Sequence, residues 1–144
     1  MRFILKRSIK KNGSFAIGGQ TAAGKSTTVR KITRITNFQM VEEFDKNDED
    51  IKNVLKEVNS GSNKHPLANE FAFLNVREIT YRKNISKNIP LVFDRTFMEN
   101  YIFSRVYISD KNLKKVFFYE WNERVSKLLL EVGRPNFYIF LDLN

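Results

Sequence analysis

The sequence predicts an α/β fold in three layers, with a parallel β-sheet flanked by helices. Residues 19–26 fit the pattern G-x-x-x-x-G-K-[ST], between a short apolar run and a helix-compatible stretch. Short apolar runs also alternate with stretches of helical periodicity, which is typical of strands joined by crossover helices. These runs are 15–17, 39–41, 91–94 and 137–141. We expect a single domain over residues 1–144.

Two strands and three helices are predicted in the first half of the chain, after a basic lead-in over residues 1–14. In chain order they are the strand 15–17, the helix 25–35, the strand 39–41, a helix that begins in the acidic turn 45–50 and ends at 59–63, and a helix at 67–84 that Pro66 opens. The first helix places Val29, Ile32 and Ile35 at helical spacing, as a core-facing helix does. Turn residues and prolines set the remaining limits.

The second half is predicted to hold two strands and two helices. Pro90 introduces the strand 91–94, a helix runs through Tyr101 and Val106, and another covers 113–132 before a buried strand at 137–141. The helix 113–132 carries an apolar stripe that recurs every three to four residues. Its members are Phe117, Phe118, Trp121, Val125, Leu128, Leu129 and Val132. We interpret the stripe as core or as a subunit contact.

Composition favours a cytoplasmic enzyme and excludes several kinds of site. The chain has no cysteine, and its single histidine, His65, cannot build a zinc site alone. No apolar run is long enough to span a membrane, and the one at residues 1–5 is too short for a signal-peptide core. The net charge of +9 is scattered between acids without aromatic–basic alternation. We therefore expect neither a nucleic-acid nor a membrane partner.

The glycine-rich motif predicts a nucleoside triphosphate site. Glycines let successive backbone N–H groups turn toward a phosphate chain, beside the positive end of a helix dipole. In that arrangement Lys25 reaches the β- and γ-phosphates of ATP, and the Ser26 hydroxyl binds Mg²⁺. The residues expected to contact the ATP phosphates are Gly19, Ala22, Ala23, Gly24, Lys25, Ser26 and Thr27.

Acidic residues follow the second and third predicted strands. The carboxyl ends of strands carry the chemistry in open α/β sheets. Glu42 and Glu43, after the second strand, could take the proton of an attacking hydroxyl or could belong to a solvated loop. Asp94, at the end of the third, is typical of a Mg²⁺-associated acid beside a phosphate loop. The adjacent Arg95 could meet a phosphate or the attacking hydroxyl.

Polar side chains on the long helix 67–84 could contact a nucleobase. Asn75, Glu78 and Arg82 recur at i, i+3 and i+7 and share one face, with Phe71 one turn earlier. An amide, a guanidinium and an aromatic ring could read a base edge and stack on its ring. An ion pair between Glu78 and Arg82, worth about 0.2–0.5 kcal/mol on a solvated helix, explains the same spacing. The residues alone leave both interpretations open.

Taken together, these motifs resemble the deoxynucleoside kinases, the family of deoxyadenosine, deoxyguanosine and deoxycytidine kinases. The resemblance spans residues 15–142. It rests on the phosphate loop, the acid after the second strand, the Phe-rich helix and Asp94-Arg95-Thr96. The closing run 134–142 resembles the family's strand after a Pro-Asp turn. The resemblance implies ATP-dependent phosphorylation of a deoxynucleoside 5′-hydroxyl in nucleotide salvage, with ATP and Mg²⁺ as cofactors.

The same resemblance implies roles for individual residues. In the family a Glu-Pro-x-x-x-Asn run supplies the catalytic base, and Glu42 stands five residues before Asn47, which favours Glu42 over Glu43. The implied catalytic residues are Glu42, Arg95 and Lys25, and the implied Mg²⁺ ligands are Ser26 and Asp94. The family's base-reading glutamine corresponds to Asn75 and its arginine to Arg82. The implied substrate contacts are Phe71, Asn75, Arg82 and Arg95.

Family members continue beyond the fourth strand into an arginine-bearing lid, a fifth strand and further helices. This chain stops at Asn144, so the resemblance implies a C-terminally truncated version of the fold. Because such arginines contribute about 10³–10⁵-fold to phosphoryl transfer, turnover is expected to be impaired. Two alternatives stay open, a thymidylate-kinase-like nucleoside monophosphate kinase and a non-catalytic nucleotide-binding fragment. The family resemblance also implies a homodimer formed through helices.

Overall fold

Strands and helices alternate along the part of the chain that the structure describes. The computed structural model describes residues 13–20, 22–61, 65 and 67–142. The strands are β1 (Ser14–Gly19), β2 (Gln39–Val41), β3 (Leu91–Asp94) and β4 (Phe137–Leu141). The helices are α1 (Lys25–Ile35), α2 (Glu49–Ser60), α3 (Ala68–Ile85), α4 (Met98–Tyr107) and α5 (Lys111–Val132). The predicted lead-in at 1–12, Thr21 of the glycine-rich motif, the helix-ending residues 62–63, and Pro66 lie outside the described residues.

The strands form one parallel sheet in the order β2-β3-β1-β4. Ile17 of β1 lies opposite Asp94 of β3 on one side and Ile139 of β4 on the other. Because all the strands run in one direction, the residues that follow β1, β2 and β3 meet at the same edge of the sheet. The predicted α/β class with a parallel sheet is confirmed.

Separate hydrophobic clusters cover the two faces of the sheet. Successive side chains of a strand point to opposite faces. Ala16 and Phe93 belong to a cluster that α3 and α5 complete, whereas Phe15 and Ile17 pack with Val29 of α1. Helices therefore lie on both faces, which confirms the predicted three layers.

The apolar stripe of α5 packs into the core. Phe117, Trp121, Val125 and Leu128 are buried, and the indole N–H of Trp121 donates to the Phe97 carbonyl at 3.2 Å. This side of α5 is therefore core, as one of the two interpretations held. No helix in the described part of the chain is long and apolar enough to cross a membrane.

Aspartate caps fix the starts of two helices. The Asp48 carboxylate accepts hydrogen bonds from the N–H groups of Asp50 and Ile51, at 3.0 and 3.3 Å, and begins α2. Asp110 caps α5 in the same way, so this helix begins two residues before its predicted start at 113. Such caps stabilise a helix by about 1 kcal/mol because they satisfy N–H groups that lack a partner in the first turn.

β4 is less buried than its apolar sequence predicted. Phe137, Tyr138 and Phe140 are 51%, 47% and 54% exposed, although a run of apolar residues had indicated a buried strand. The difference follows from the strand order, because β4 is an outer strand among the strands that the structure describes and pairs with β1 along one side. Periodicity reports that a strand is apolar but not where it lies in the sheet.

Candidate active site

The phosphate loop and the ends of β2 and β3 surround a cavity of about 370 Å³ at the carboxyl edge of the sheet. Its lining residues are Ala22, Gly24, Lys25, Ser26, Thr27, Glu43, Asp94 and Arg95. Most of them were singled out in the sequence as phosphate, metal or catalytic residues. Gly19 and Ala23 belong to the loop without lining the cavity. Glu43 lines it in place of Glu42.

The loop backbone adopts conformations that glycine reaches most easily. Gly24, just before α1, has φ 77°, and Ala22 has φ 65° although it is not glycine. Gly19 has φ 141°, and a Cβ at this position would lie 2.2 Å from the carbonyl oxygen of Leu141. The loop thus leaves β1 pressed against β4. It leads the first turn of α1, whose N–H groups have no intrahelical acceptor, to the cavity wall, where an anion is favoured.

Lys25 is the buried cation of the cavity. Its side chain is 6% exposed, and its ammonium group donates a hydrogen bond to the Gln20 carbonyl oxygen. Burial, followed by repulsion from Arg95, lowers the pKa of Lys25, whereas Glu99 and Asp94 act in the opposite direction. A phosphate beside this ammonium group would favour its charged form. The environment of Lys25 is therefore suited to an anionic ligand.

Ser26 and Asp94 join the start of α1 to the end of β3. The Ser26 hydroxyl donates to Oδ2 of Asp94 at 2.6 Å, and Asp94 is buried. Mg²⁺ prefers oxygen ligands and usually takes one or two protein side chains besides phosphates and waters. No cluster of three or more His, Cys, Asp or Glu side chains that could hold a metal occurs among the described residues. The pair therefore fits a Mg²⁺ ion that phosphates and water coordinate as well, and not a metal caged by protein.

Glu43, the second acid after β2, lies between two arginines. Its Oε1 accepts a hydrogen bond from Nη2 of Arg77 at 2.5 Å and lies 3.4 Å from Nη1 of Arg95. Glu42 is exposed and lies outside the lining of the cavity. Glu42 and Glu43 directly follow β2 and differ in exposure, so a shift of one position decides which carboxylate lines the cavity. Of the two acids, Glu43 has the geometry to act there.

Arg95 has a left-handed backbone conformation directly after β3, with φ 70°. Its N–H donates to the Ile17 carbonyl at 3.0 Å, which ties the turn to β1. Its guanidinium carbon lies 5.2 Å from the centre of the Phe103 ring, within range of a cation–π contact. Such a conformation costs a non-glycine residue about 1–3 kcal/mol, and residues of this kind concentrate at functional sites.

The side chains predicted to contact a nucleobase face α5 and not the cavity. The Asn75 side-chain oxygen accepts a hydrogen bond from Arg124, and Arg82 forms an ion pair with Glu131 at 2.7 Å. The Phe71 ring packs against a ring of α5, with 5.1 Å between their centres. These three residues therefore join two helices, and the structure does not bring them to the site.

A second pair on α3 with the same spacing lies beside the site. Glu70 and Arg77 are also seven residues apart, and Arg77 contacts Glu43. Burial raises the pKa of Glu70, and the charge of Arg77 opposes this. Asn100 of α4 donates from Nδ2 to the Glu70 carbonyl at 3.4 Å. Among the described residues, Arg77 Nε and Asn100 Oδ1 are buried without a hydrogen-bond partner, and such atoms mark a place where water or a ligand binds.

Glu99, in the first turn of α4, is a buried acid that the sequence analysis did not single out. It is 3% exposed, and its Oε1 accepts a hydrogen bond from the Gly19 N–H at 3.0 Å. Burial raises the pKa of Glu99, although that hydrogen bond and then Arg95 act in the opposite direction. No motif marks this residue, and the available signal was its place just after Asp94-Arg95-Thr96.

Comparison with known proteins gives one family. The sequence model of the deoxynucleoside kinases matches residues 15–144. The uncharacterized protein MG268 of Mycoplasma genitalium is 28% identical over 130 residues, and its homologue in Mycoplasma pneumoniae is 25% identical over 130 residues. Each alignment covers 88% of this chain, and the chain spans 57% and 56% of the lengths of these relatives.

Solved structures share the fold. The deoxyadenosine kinase of M. mycoides with bound dATP superposes with a TM-score of 0.65 at 20% identity, over 91% of this chain and 65% of that one. The thymidylate kinase of Candida albicans superposes with a TM-score of 0.63 at 17% identity, over 93% and 64%. At these identities the likeness concerns the fold, and it does not distinguish between the two activities.

Proposed function

Because the chain belongs to the deoxynucleoside kinase family, we propose that it transfers the γ-phosphoryl group of ATP to the 5′-hydroxyl of a deoxynucleoside. The observation that carries the proposal is the cavity at the sheet edge, where the phosphate loop faces Glu43 and Arg95. One wall holds cationic and N–H groups for phosphates, and the other holds a carboxylate for a hydroxyl proton. Phosphoryl transfer needs both in one place.

On the donor side, the loop and the first turn of α1 bind the phosphates of ATP. Lys25 provides the buried positive charge, and the phosphate oxygens replace the Gln20 carbonyl as its partner. Ser26 and Asp94 would hold Mg²⁺ through the hydroxyl and the carboxylate, which are hydrogen-bonded to each other in the structure. When bound, Mg²⁺ neutralises charge on the phosphate oxygens.

On the acceptor side, Glu43 acts as the general base. The 5′-hydroxyl oxygen forms its bond to the γ-phosphorus as the bond from that phosphorus to the β,γ-bridging oxygen breaks, which leaves ADP. Glu43 takes the proton of the hydroxyl. Arg77 and Arg95 hold the carboxylate in place, and Arg95 is also placed to offset the charge that develops on the transferred group. This proposal moves the role of base from Glu42 to Glu43.

The base of the acceptor lies against α3 and α4 in this proposal. Arg77 contacts Glu43, and Asn100 contacts the Glu70 backbone on the neighbouring helix. The buried Nε of Arg77 and Oδ1 of Asn100 have no hydrogen-bond partner in the described part of the chain. Donors and acceptors of this kind suit the polar edge of a nucleobase. We accordingly place base recognition on these residues and not on Phe71, Asn75 and Arg82.

Cytoplasmic nucleotide salvage by a homodimer completes the proposal. Exposed apolar residues on α4, among them Val106 at 72% and Tyr107 at 70% exposure, offer a surface for a second copy. Light scattering after gel filtration measures the mass in solution, and a monomer at micromolar concentration would contradict the dimer.

The enzymatic proposal is tested with labelled ATP, Mg²⁺ and each of the four deoxynucleosides. We expect a labelled 5′-monophosphate from at least one of them with the wild type and from none with Lys25→Ala. A parallel reaction contains dTMP, and faster phosphorylation of dTMP than of any nucleoside would favour a monophosphate kinase. Calorimetric ATP binding without turnover of any acceptor would favour a nucleotide-binding protein that is not an enzyme.

A further inference from the structure

We propose that Glu99 is a positioning residue that fixes the point where the phosphate loop leaves β1 and joins it to the turn after β3. Glu99 does not line the cavity, so its proposed role is to hold the loop backbone and not to contact a ligand. The inference rests on the proposed nucleotide site but concerns the hydrogen bond to Gly19, which can be measured without turnover.

The backbone of Glu99 is fixed to the segment that carries Asp94 and Arg95. Its N–H donates to the carbonyl of Thr96, which precedes α4, at 3.0 Å. From there the side chain crosses to β1, where its Oε1 accepts from the Gly19 N–H at 3.0 Å. This carboxylate therefore links the segment that binds the phosphates to the segment that contains the acid and the arginine of the site.

The Glu99 carboxylate packs closely against the backbone of β1. A Cβ added at Gly18 would lie 2.4 Å from Oε1 of Glu99, so the carboxylate lies directly against the β1 backbone. On its other side Gly19 is pressed against the Leu141 carbonyl. The exit of β1 is thus held between β4 and Glu99, and the length of the glutamate side chain sets its position.

Burial of a carboxylate is unfavourable unless hydrogen bonds and opposite charges offset it. At Glu99 the offsetting groups are the Gly19 N–H and the cations Arg95, Arg77 and Lys25, with the anions Asp94 and Glu43 in the same site. A neutral amide of the same length would keep the hydrogen bond and remove the unfavourable burial of charge. The reach of the side chain, and not its charge, should therefore matter for positioning.

Two substitutions at Glu99 distinguish the effect of side-chain length from the effect of charge. Glu99→Gln keeps the side-chain length and an acceptor oxygen, whereas Glu99→Asp keeps the charge and shortens the arm by one methylene. Glu120, exposed on α5, provides the matched controls Glu120→Gln and Glu120→Asp. For each variant we would measure ATP affinity by calorimetry, and kcat and KM for the best deoxynucleoside, after checking the fold by circular dichroism.

The expected result is an asymmetry between the two variants. Glu99→Asp weakens ATP binding about tenfold, the order of effect of losing one hydrogen bond to a charged group, and lowers kcat. Both Glu120 variants stay within about twofold of the wild type, as surface substitutions do. Glu99→Gln is expected to stay in the same range, because it keeps an acceptor for the Gly19 N–H. The proposal would be overturned if Glu99→Asp bound ATP as tightly as the wild type. It would also be overturned if Glu99→Gln lost as much ATP affinity and kcat as Glu99→Asp, or more.

Hydrogen exchange of the Gly19 amide gives a readout that needs neither ATP binding nor folding of the aspartate variant. Slow exchange in both the wild type and Glu99→Gln is expected if the side chain holds this N–H. Exchange as fast as that of the exposed Ala22 amide would contradict the proposal. A wild type with a protected Gly19 and no affinity for ATP would refute the proposed function and leave the positioning contact standing.

Discussion

Exchanging Glu43 for glutamine removes one negative charge from the cavity and keeps a side chain of the same length. The amide oxygen can still accept the hydrogen bond from Arg77, whose donor atom lies 2.5 Å from the carboxylate. The amide cannot take a proton from a hydroxyl. The substitution therefore removes the proposed base while it disturbs the local packing little.

The expected magnitudes for kcat and for stability are different. Loss of a general base lowers kcat by about 10²–10⁴-fold. Arg77 is 6% exposed and keeps a neutral partner in place of a charged one, so the free energy of unfolding falls by about 1–3 kcal/mol. A loss of this size leaves most of the protein folded at 25 °C, because domains are stable by about 5–15 kcal/mol.

Steady-state kinetics with ATP and the best deoxynucleoside measure kcat and KM, and thermal unfolding gives the loss of stability. Glu42→Gln is the matched control, since Glu42 is the exposed neighbour outside the cavity lining, and its kcat should stay within about twofold of the wild type. A folded Glu43→Gln with unchanged kcat, or a loss confined to Glu42→Gln, would refute Glu43 as the base.

Three further predictions concern binding and stability. Lys25→Ala removes most ATP affinity, which calorimetry measures, because the buried ammonium group is the cation of the loop; unchanged affinity would place the phosphates elsewhere. Gly18→Ala lowers the free energy of unfolding by about 1–3 kcal/mol, since its methyl would lie 2.4 Å from Oε1 of Glu99, and an unchanged melting temperature would argue against this packing. Burial raises the pKa of Glu70, so the folded state binds its proton more tightly than the unfolded state, and stability falls as pH rises above the ordinary glutamate pKa of about 4.3. Glu70→Gln lacks this dependence, so its stability relative to the wild type should increase between pH 4 and pH 7; a constant difference in urea denaturation would contradict this.

The sequence predicted the elements of the fold and most of the residues that line the cavity. The spacing of glycines, Lys25 and Ser26 is a local property, and so is an aspartate at the end of an apolar strand. Such local patterns can be recognised in a sequence, because the backbone geometry that they require is set within a few residues. The Ser26–Asp94 contact then follows from the parallel sheet.

The proposed acceptor side of the cavity could not be predicted from the sequence, because it depends on the orientation of side chains. Asn75 and Arg82 share a helical face, and Glu70 and Arg77 have the same spacing. Periodicity reports which residues lie together but not which face a neighbouring helix covers, and α5 covers the first pair. The family's Glu-Pro-x-x-x-Asn spacing favoured Glu42, because Glu42 stands five residues before Asn47. In the structure the next residue, Glu43, lines the cavity after β2.

Glu99 was missed for a different reason. In sequence it is a charged residue in the first turn of a helix, where acids are common because of the helix dipole. Its burial results from the crossing of α4 behind β1, a tertiary contact between positions 80 residues apart. Its place just after Asp94-Arg95-Thr96 is a signal in the sequence, but that place does not indicate a contact with β1.

The left-handed backbone at Arg95 carries a consequence for how this protein can be stabilised. Glycine adopts φ 70° without strain, so Arg95→Gly would relieve the strain of about 1–3 kcal/mol at the turn. It would also remove the guanidinium from Glu43 and from the Phe103 ring and give the unfolded chain more freedom. Where the relieved strain exceeds these losses, selection for thermal stability alone favours a change that removes a residue of the proposed site. At this position a stability screen and an activity screen would select different amino acids, and a functional variant library should keep residue 95 fixed.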